Sequence, residues 1–242
     1  MMFSAKNVSL AVPGKTLVDK LNIDFMPGEF WAVLGQNGSG KTTLLAALSG
    51  ISAAQKGTIE LNQRPLRDLK PLERARQIGL LMQKEDSSFS GLVEDYVLLG
   101  RYPHRDADLA LARQSMSALQ IDTLAGRRIP SLSGGEFQRA RIAQLLCQHP
   151  EIYCLDEPLM HLDVAHQYGV MECLRQLATK QAKTVIMAMH EPLWTMRYCS
   201  HALLLFENGA HQAGEAAALL SVDRLQKLYA CDREALAGFG ML

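Results

Sequence analysis

The chain has 242 residues, 48% of them hydrophobic, with 25 basic and 25 acidic side chains and a formal net charge of zero. That length and apolar share allow a full core, built as one large domain or as two small lobes. The balanced charge argues against a nucleic-acid binder, no run approaches the roughly 18 apolar residues that span a bilayer, and the N-terminus lacks the basic-then-apolar layout of a secretory leader.

Residues 3–34 alternate short apolar runs with the turns Pro13-Gly14 and Pro27-Gly28. This predicts antiparallel strands leading into a buried strand, Phe30-Trp31-Ala32-Val33-Leu34. The next run, Gly35-Gln36-Asn37-Gly38-Ser39-Gly40-Lys41-Thr42, fits G-x-x-x-x-G-K-[ST]. Its glycines let the backbone turn so that successive N–H groups point at a polyanion. Lys41 sets a charge against the β/γ-phosphates, and the Thr42 hydroxyl can ligate Mg²⁺. Thr43 opens a predicted helix through Leu48, whose N-terminal N–H groups and dipole face the same anion. The stretch Gly35 to Thr43 therefore reads as a binding site for ATP or GTP.

Residues 57–62 read as a further strand. From about 90 to 150 apolar residues recur at helical spacing, as at Leu109, Leu111, Met116 and Leu119. Within that region Leu132-Ser133-Gly134-Gly135-Glu136 sets two glycines after a serine at the start of a predicted helix, a second anion-binding nest. Strand signals return at Ile152–Leu155, Thr184–Ala188 and Ala202–Phe206, with helical patterns between them. Ile152-Tyr153-Cys154-Leu155-Asp156-Glu157 puts Asp156 at a strand's C-terminal end, where open α/β sheets bind ligands. Asp156 would hold Mg²⁺, and Glu157 would face an attacking water. The segment from Ala216 to Leu242 reads as helical and leaves no room for a regulatory domain. The pattern is an α/β core interrupted by a helical insertion.

In this order, and over essentially the whole chain, these residues resemble the ATP-binding cassette ATPases. The resemblance implies a P-loop NTPase (RecA-like) core over about 1–86 and 151–242, with an N-terminal antiparallel β subdomain and a helical subdomain inserted over about 87–150. It places Gln83 in the Q-loop, linking Mg²⁺ and water to the insertion, Asp163 in the D-loop, and His190 as the switch histidine on the γ-phosphate. It also implies that two copies pack head to tail. Each ATP then lies between one P-loop and the partner's Ser133, Gly134, Gly135 and Glu136. Glu157 would be the general base, with Lys41, Gln83 and His190 completing the catalytic set.

The chain departs from the family at a few positions. Val12 stands where an aromatic usually stacks on adenine, Gln36 where proline is common, and Glu191 where aspartate follows the switch histidine. Leu159-Met160 is apolar where the family favours small polar residues.

Val97-Leu98-Leu99-Gly100-Arg101-Tyr102-Pro103-His104-Arg105, and His161-Leu162-Asp163 with His166-Gln167, are similar to the cassettes of ferric-siderophore, haem and cobalamin importers. That branch implies a peripheral subunit on the cytoplasmic face of the inner membrane, seated on a dimeric integral-membrane permease. An extracytoplasmic binding protein would feed the permease, with no nucleic-acid partner. The permease would dock after Gln83, where Phe89, Leu92, Val93 and Tyr96 either line a groove or belong to the helical core. The alternatives are a soluble, non-transport cassette ATPase of DNA repair or translation, or an unfused exporter cassette.

Other features carry plainer expectations. Cys147, Cys154, Cys173, Cys199 and Cys231 form no C-x-x-C pair and read as reduced, mostly buried thiols of a cytosolic protein. Met187, Met189 and Met196 are expected as core filler, Arg127-Arg128 as a solvated face, and His161 and His166 are not expected to hold a metal.

Overall fold

The computed structural model describes residues 2–83, 88–232, 234 and 236. The chain opens with an antiparallel pair, β1 (Phe3–Val12) and β2 (Lys15–Phe25), in which Phe3 faces Phe25 and Val12 faces Lys15 across the turn at Gly14. β3 (Phe30–Gly35) then leaves this sheet for a second one and runs into α1 (Lys41–Leu48). β4 (Lys56–Leu61) and the short β5 (Arg64–Pro65) return to the first sheet, whose order is β2-β1-β4-β5. After α2 (Pro71–Gln77), β6 (Ile78–Leu81) forms the far edge of the second sheet.

A helical region follows, with α3 (Val93–Leu98), α4 (Leu109–Ala118) and α5 (Gly134–Gln148). β7 (Ile152–Asp156), α6 (Val164–Gln181), β8 (Thr184–Ala188), α7 (Pro192–Tyr198) and β9 (His201–Leu205) complete the α/β alternation. β10 (His211–Glu215), α8 (Ala216–Leu219) and α9 (Val222–Tyr229) close the described chain. The second sheet is ordered β10-β9-β3-β8-β7-β6, parallel except for β10 at its edge.

Every residue of β3, β7 and β8 is buried, because both faces of that sheet are covered. Side chains alternate between two cores. Phe30, Ala32, Leu34, Tyr153 and Leu155 join the core shared with α3, α5 and α6, whereas Trp31, Val33, Ile152 and Cys154 join the one shared with α1 and the antiparallel sheet. The expected architecture, an α/β core with an antiparallel β subdomain and a helical insertion, is the observed one. Each parallel strand ends on the same edge, so the loops after β3, β8, β7 and β6 lie side by side there.

Several local expectations change. Val93 and Tyr96 are 0% and 2% exposed, so they are core residues and line no groove; Leu92 is exposed and Phe89 half-buried. Leu109 lies outside the buried face of α4, which is formed by Ala112, Ser115 and Met116, continuing to Leu119. Residue 109 is the first after the N-cap, Asp108, and there the apolar stripe has not yet turned inward. Met187 and Met189 are buried as expected, but Met196 sits on the outer side of α7 with 54% exposure. Arg127 and Arg128 are exposed yet engaged, Arg127 with Glu136 and Ser131, Arg128 with the Ser90 carbonyl. The C-terminal helix expected from Ala216 is broken at Leu220 into α8 and α9, and its continuation over 237–242 lies outside the described residues. All five cysteines are free; Cys147, Cys154 and Cys199 are buried and the other two half-buried. Burial pushes the Cys154 thiol up to about 12, which leaves it protonated and unreactive.

Candidate active site

The loop after β3 is shaped by two glycines with left-handed backbone, Gly38 (φ +73°) and Gly40 (φ +104°). A Cβ on Gly40 would stand 2.8 Å from the Leu17 Cβ, so only glycine allows β2 to pack under the start of α1. Gly35 is equally confined, with a virtual Cβ 2.5 Å from the Ser39 hydroxyl. Lys15 of β2 donates from Nζ to the Gly38 carbonyl at 2.9 Å and braces the loop from outside.

Lys41 is 6% exposed and folds back over its own loop, donating to the carbonyls of Gly35 at 2.8 Å and Gln36 at 3.2 Å. Burial lowers its pKa, while the carboxylates of Glu157 and Asp156 push it back up. An ammonium held this way sits inside the loop, from whose carbonyls it can turn to a polyphosphate.

Asp156, the last residue of β7, is 2% exposed and neither carboxylate oxygen has a well-formed hydrogen bond. Burial raises its pKa most strongly, and the neighbouring Thr42 hydroxyl partly opposes the shift. A buried carboxylate without a well-formed hydrogen bond is costly, and a bound cation would offset that cost. Asp156 and Thr42 thus present the hard oxygen donors that suit Mg²⁺.

Glu157 follows in a left-handed conformation (φ +50°) that turns its side chain out of the strand line. Its amide donates to the Ala188 carbonyl at 3.1 Å, tying the turn to β8. Two loops meet on its carboxylate: His190 Nε2 lies 2.6 Å from Oε1, and Gln83 Nε2 donates to Oε2 at 2.8 Å. His190 is itself held from behind, because Tyr229 of α9 donates its hydroxyl proton to the His190 carbonyl at 3.1 Å.

Val12, Lys15, Leu17, Asn37, Gly38, Gly40, Lys41, Thr42, Thr43, Gln83 and Glu157 line one cavity of about 420 Å³, large enough for a nucleotide. Val12, 44% exposed, contributes an aliphatic wall where an aromatic was looked for. Gly35, Gln36 and Ser39 are not in the cavity's lining; Gln36 and Ser39 face a neighbouring cavity that shares Lys15 and Asn37.

The second nest does not line this cavity. Ser133 is the N-cap of α5; its Oγ accepts from the Glu136 amide, and the Glu136 carboxylate accepts from the Ser133 amide at 2.7 Å, a reciprocal capping box. Gly134 and Gly135 lie against His161, where a Cβ on Gly135 would come within 2.8 Å of the His161 carbonyl. Asp163 caps α6 and pairs with His166 at 2.9 Å. Within one chain, then, Ser133–Glu136 and Asp163 sit apart from the nucleotide cavity.

Two buried residues of α5 had no place in the reading of motifs. Gln138 and Arg141, each 4% exposed, reach the loops that carry Glu157 and Gln83. The available signal was two large polar side chains three residues apart on the apolar face of a helix.

Comparison with known proteins bears on the family and the fold. The family described as ABC transporter matches residues 18–160. The hemin import ATP-binding protein HmuV of Pseudomonas aeruginosa is 34% identical over 236 residues, covering 94% of this chain and 92% of that protein. The achromobactin transport ATP-binding protein CbrD of Dickeya dadantii is 31% identical over 236 residues, covering 95% and 88%. Among solved structures, a metal-chelate type ABC transporter in an inward-facing conformation superposes with a TM-score of 0.81 at 33% identity, covering 93% of this chain and 88% of that one.

Proposed function

The chain belongs to the ABC transporter family, and on that premise we propose that it is the ATP-hydrolysing subunit of an importer for an iron chelate, haem or a ferric siderophore, with cobalamin as a further cargo of the same branch. The observation that carries the chemistry is the meeting of Gln83 and His190 on the Glu157 carboxylate, at the rim of a cavity floored by Lys41 and Thr42. The cargo class is supported by what the relatives at 31–34% identity transport.

In this reading the residues Gly35 to Thr43 cradle the triphosphate, with Lys41 leaving its loop carbonyls for the β/γ-phosphates. Thr42, Asp156 and Gln83 would hold Mg²⁺, which when bound neutralises charge between the β- and γ-phosphates. Glu157 accepts a proton from the attacking water, and general-base catalysis of this kind is worth about 10²–10⁴ in rate. His190 orients that carboxylate and faces the γ-phosphate. Ser133, Gly134, Gly135, Glu136 and Asp163 complete the site from a second copy packed head to tail, which accounts for their separation from the cavity within one chain.

Among the described residues no helix is long and apolar enough to cross a membrane. The spans belong to a permease dimer, with this subunit on its cytoplasmic face and a binding protein delivering cargo outside. On the segment expected to dock the permease, 84–101, of which 84–87 lie outside the described residues, Leu92 and Leu99 are 39% and 48% exposed and available for contact, as is the adjoining Tyr102 at 74%.

Purification of the tagged chain from native membranes in mild detergent tests the assignment. Recovery of a stoichiometric polytopic permease, whose gene loss abolishes growth on an iron chelate or haem, is the expected result. Recovery only from the soluble fraction, with nucleic-acid or ribosomal partners, would overturn it.

A further inference from the structure

The two catalytic loops are joined by more than the hydrogen bond between Gln83 and Glu157. Arg141 donates from Nη2 to the Met82 carbonyl at 2.5 Å and from Nη1 to the Gln138 Oε1 at 2.8 Å. Gln138 in turn donates from Nε2 to the Pro158 carbonyl at 2.9 Å. Met82 precedes Gln83 and Pro158 follows Glu157, so the contacts close a ring: Gln83, Glu157, Pro158, Gln138, Arg141, Met82 and back to Gln83. The guanidinium also lies 6.0 Å from the centre of the Phe137 ring.

Both side chains rise from α5, the helix whose first turn carries Ser133, Gly134 and Gly135. A buried amide and a buried guanidinium lose water on folding, and these carbonyl and amide partners compensate only in one relative placement of the helix and the loops. The planar fork of arginine serves two acceptors at fixed angles, which an ammonium cannot do.

We propose that Gln138 and Arg141 form a clamp that sets the spacing of Gln83 and Glu157 and ties it to the orientation of α5. Neither lines the nucleotide cavity, and both are positioning residues. A shift of α5, when its first turn engages nucleotide on a second copy, is thereby transmitted to the carboxylate that activates water. This role rests on the ATPase reading above.

Two conservative variants test it in the full-length chain. Gln138→Glu keeps the acceptor for Arg141 and adds charge complementarity, but removes the donor to Pro158. Arg141→Lys keeps the charge and loses the fork. The expected result for each is a kcat for ATP lowered about tenfold, KM within about twofold of wild type, and faster amide hydrogen exchange over residues 81–83 and 157–160 without nucleotide. A merely structural role predicts instead that Gln138→Glu, with its new ion pair, leaves both exchange and kcat at wild-type values, and that result overturns the clamp. A wild-type chain that hydrolyses no nucleotide would overturn the ATPase reading separately, while the exchange data still decide whether the clamp exists.

Discussion

Asp156 shows how a single residue couples stability to function. Its carboxylate is buried, lacks a well-formed hydrogen bond and has a pKa raised mainly by burial. Between the ordinary aspartate pKa and the raised folded one, the folded chain therefore keeps a proton that the unfolded chain has released. The stability this group contributes is complete below the ordinary aspartate pKa, falls as pH rises through the window up to the raised folded value, and leaves a cost at neutral pH. Asp156→Asn removes that charge, worth about 1–3 kcal/mol for an uncompensated buried group. The apo protein should melt a few degrees higher at neutral pH, at about 2–4 °C per kcal/mol for a chain of this size. The gain should shrink in mildly acidic buffer, and ATP turnover should fall by about 10² or more. A lower melting temperature at neutral pH would contradict this account of the site. At this scale the residues proposed to carry the chemistry, Lys41, Thr42, Asp156 and Glu157, could be named from the sequence because they stand in contiguous motifs. Gln138 and Arg141 could not. Their partners are backbone carbonyls 20 and 59 positions away, and a carbonyl has no spelling.

Among the elements, the parallel strands β3, β7, β8 and β9 were legible from their apolar runs, as in Ile152–Leu155, because burial on both faces demands them, whereas the four-residue edge strand β6 was not read as a strand. Helix faces were less so: in α4 periodicity pointed to Leu109, and Met196 was expected as core filler beside the strand Thr184–Ala188, yet both face outward. The phrase from Val97 to Arg105 proved to be a packing device. Arg101 fastens to Asp106 and to the Cys147 carbonyl, and a Cβ on Gly100 would meet the Gln144 carbonyl at 2.3 Å, so this segment lies flat on α5. The role of α9 was illegible, since Tyr229 meets His190 only through tertiary contact. That hydrogen bond predicts that Tyr229→Phe costs about 0.5–1.5 kcal/mol of stability and lowers kcat several-fold with KM for ATP unchanged, because the γ-phosphate loop loses its rear support. Steady-state kinetics with thermal melts checks it, and a wild-type kcat would show that α9 does not position His190.

As a whole molecule, the chain gathers the groups proposed to hold and activate ATP on one edge of its parallel sheet, and keeps the proposed second anion nest at the start of α5 on a different surface. Neither part makes sense alone. On the proposed reading the capping box of Ser133 and Glu136 fixes the first turn of α5 in advance, so that little ordering remains when a second copy packs against it. Zero net charge lets two copies approach without long-range repulsion. The measurement that bears most directly on this account is the mass in solution of Glu157→Gln, by light scattering, with and without ATP and Mg²⁺. The account predicts a monomer without nucleotide, a stable dimer with ATP, and the same mutant unable to turn ATP over. A mutant that stays monomeric with ATP bound, or hydrolyses it at the wild-type rate, would contradict it.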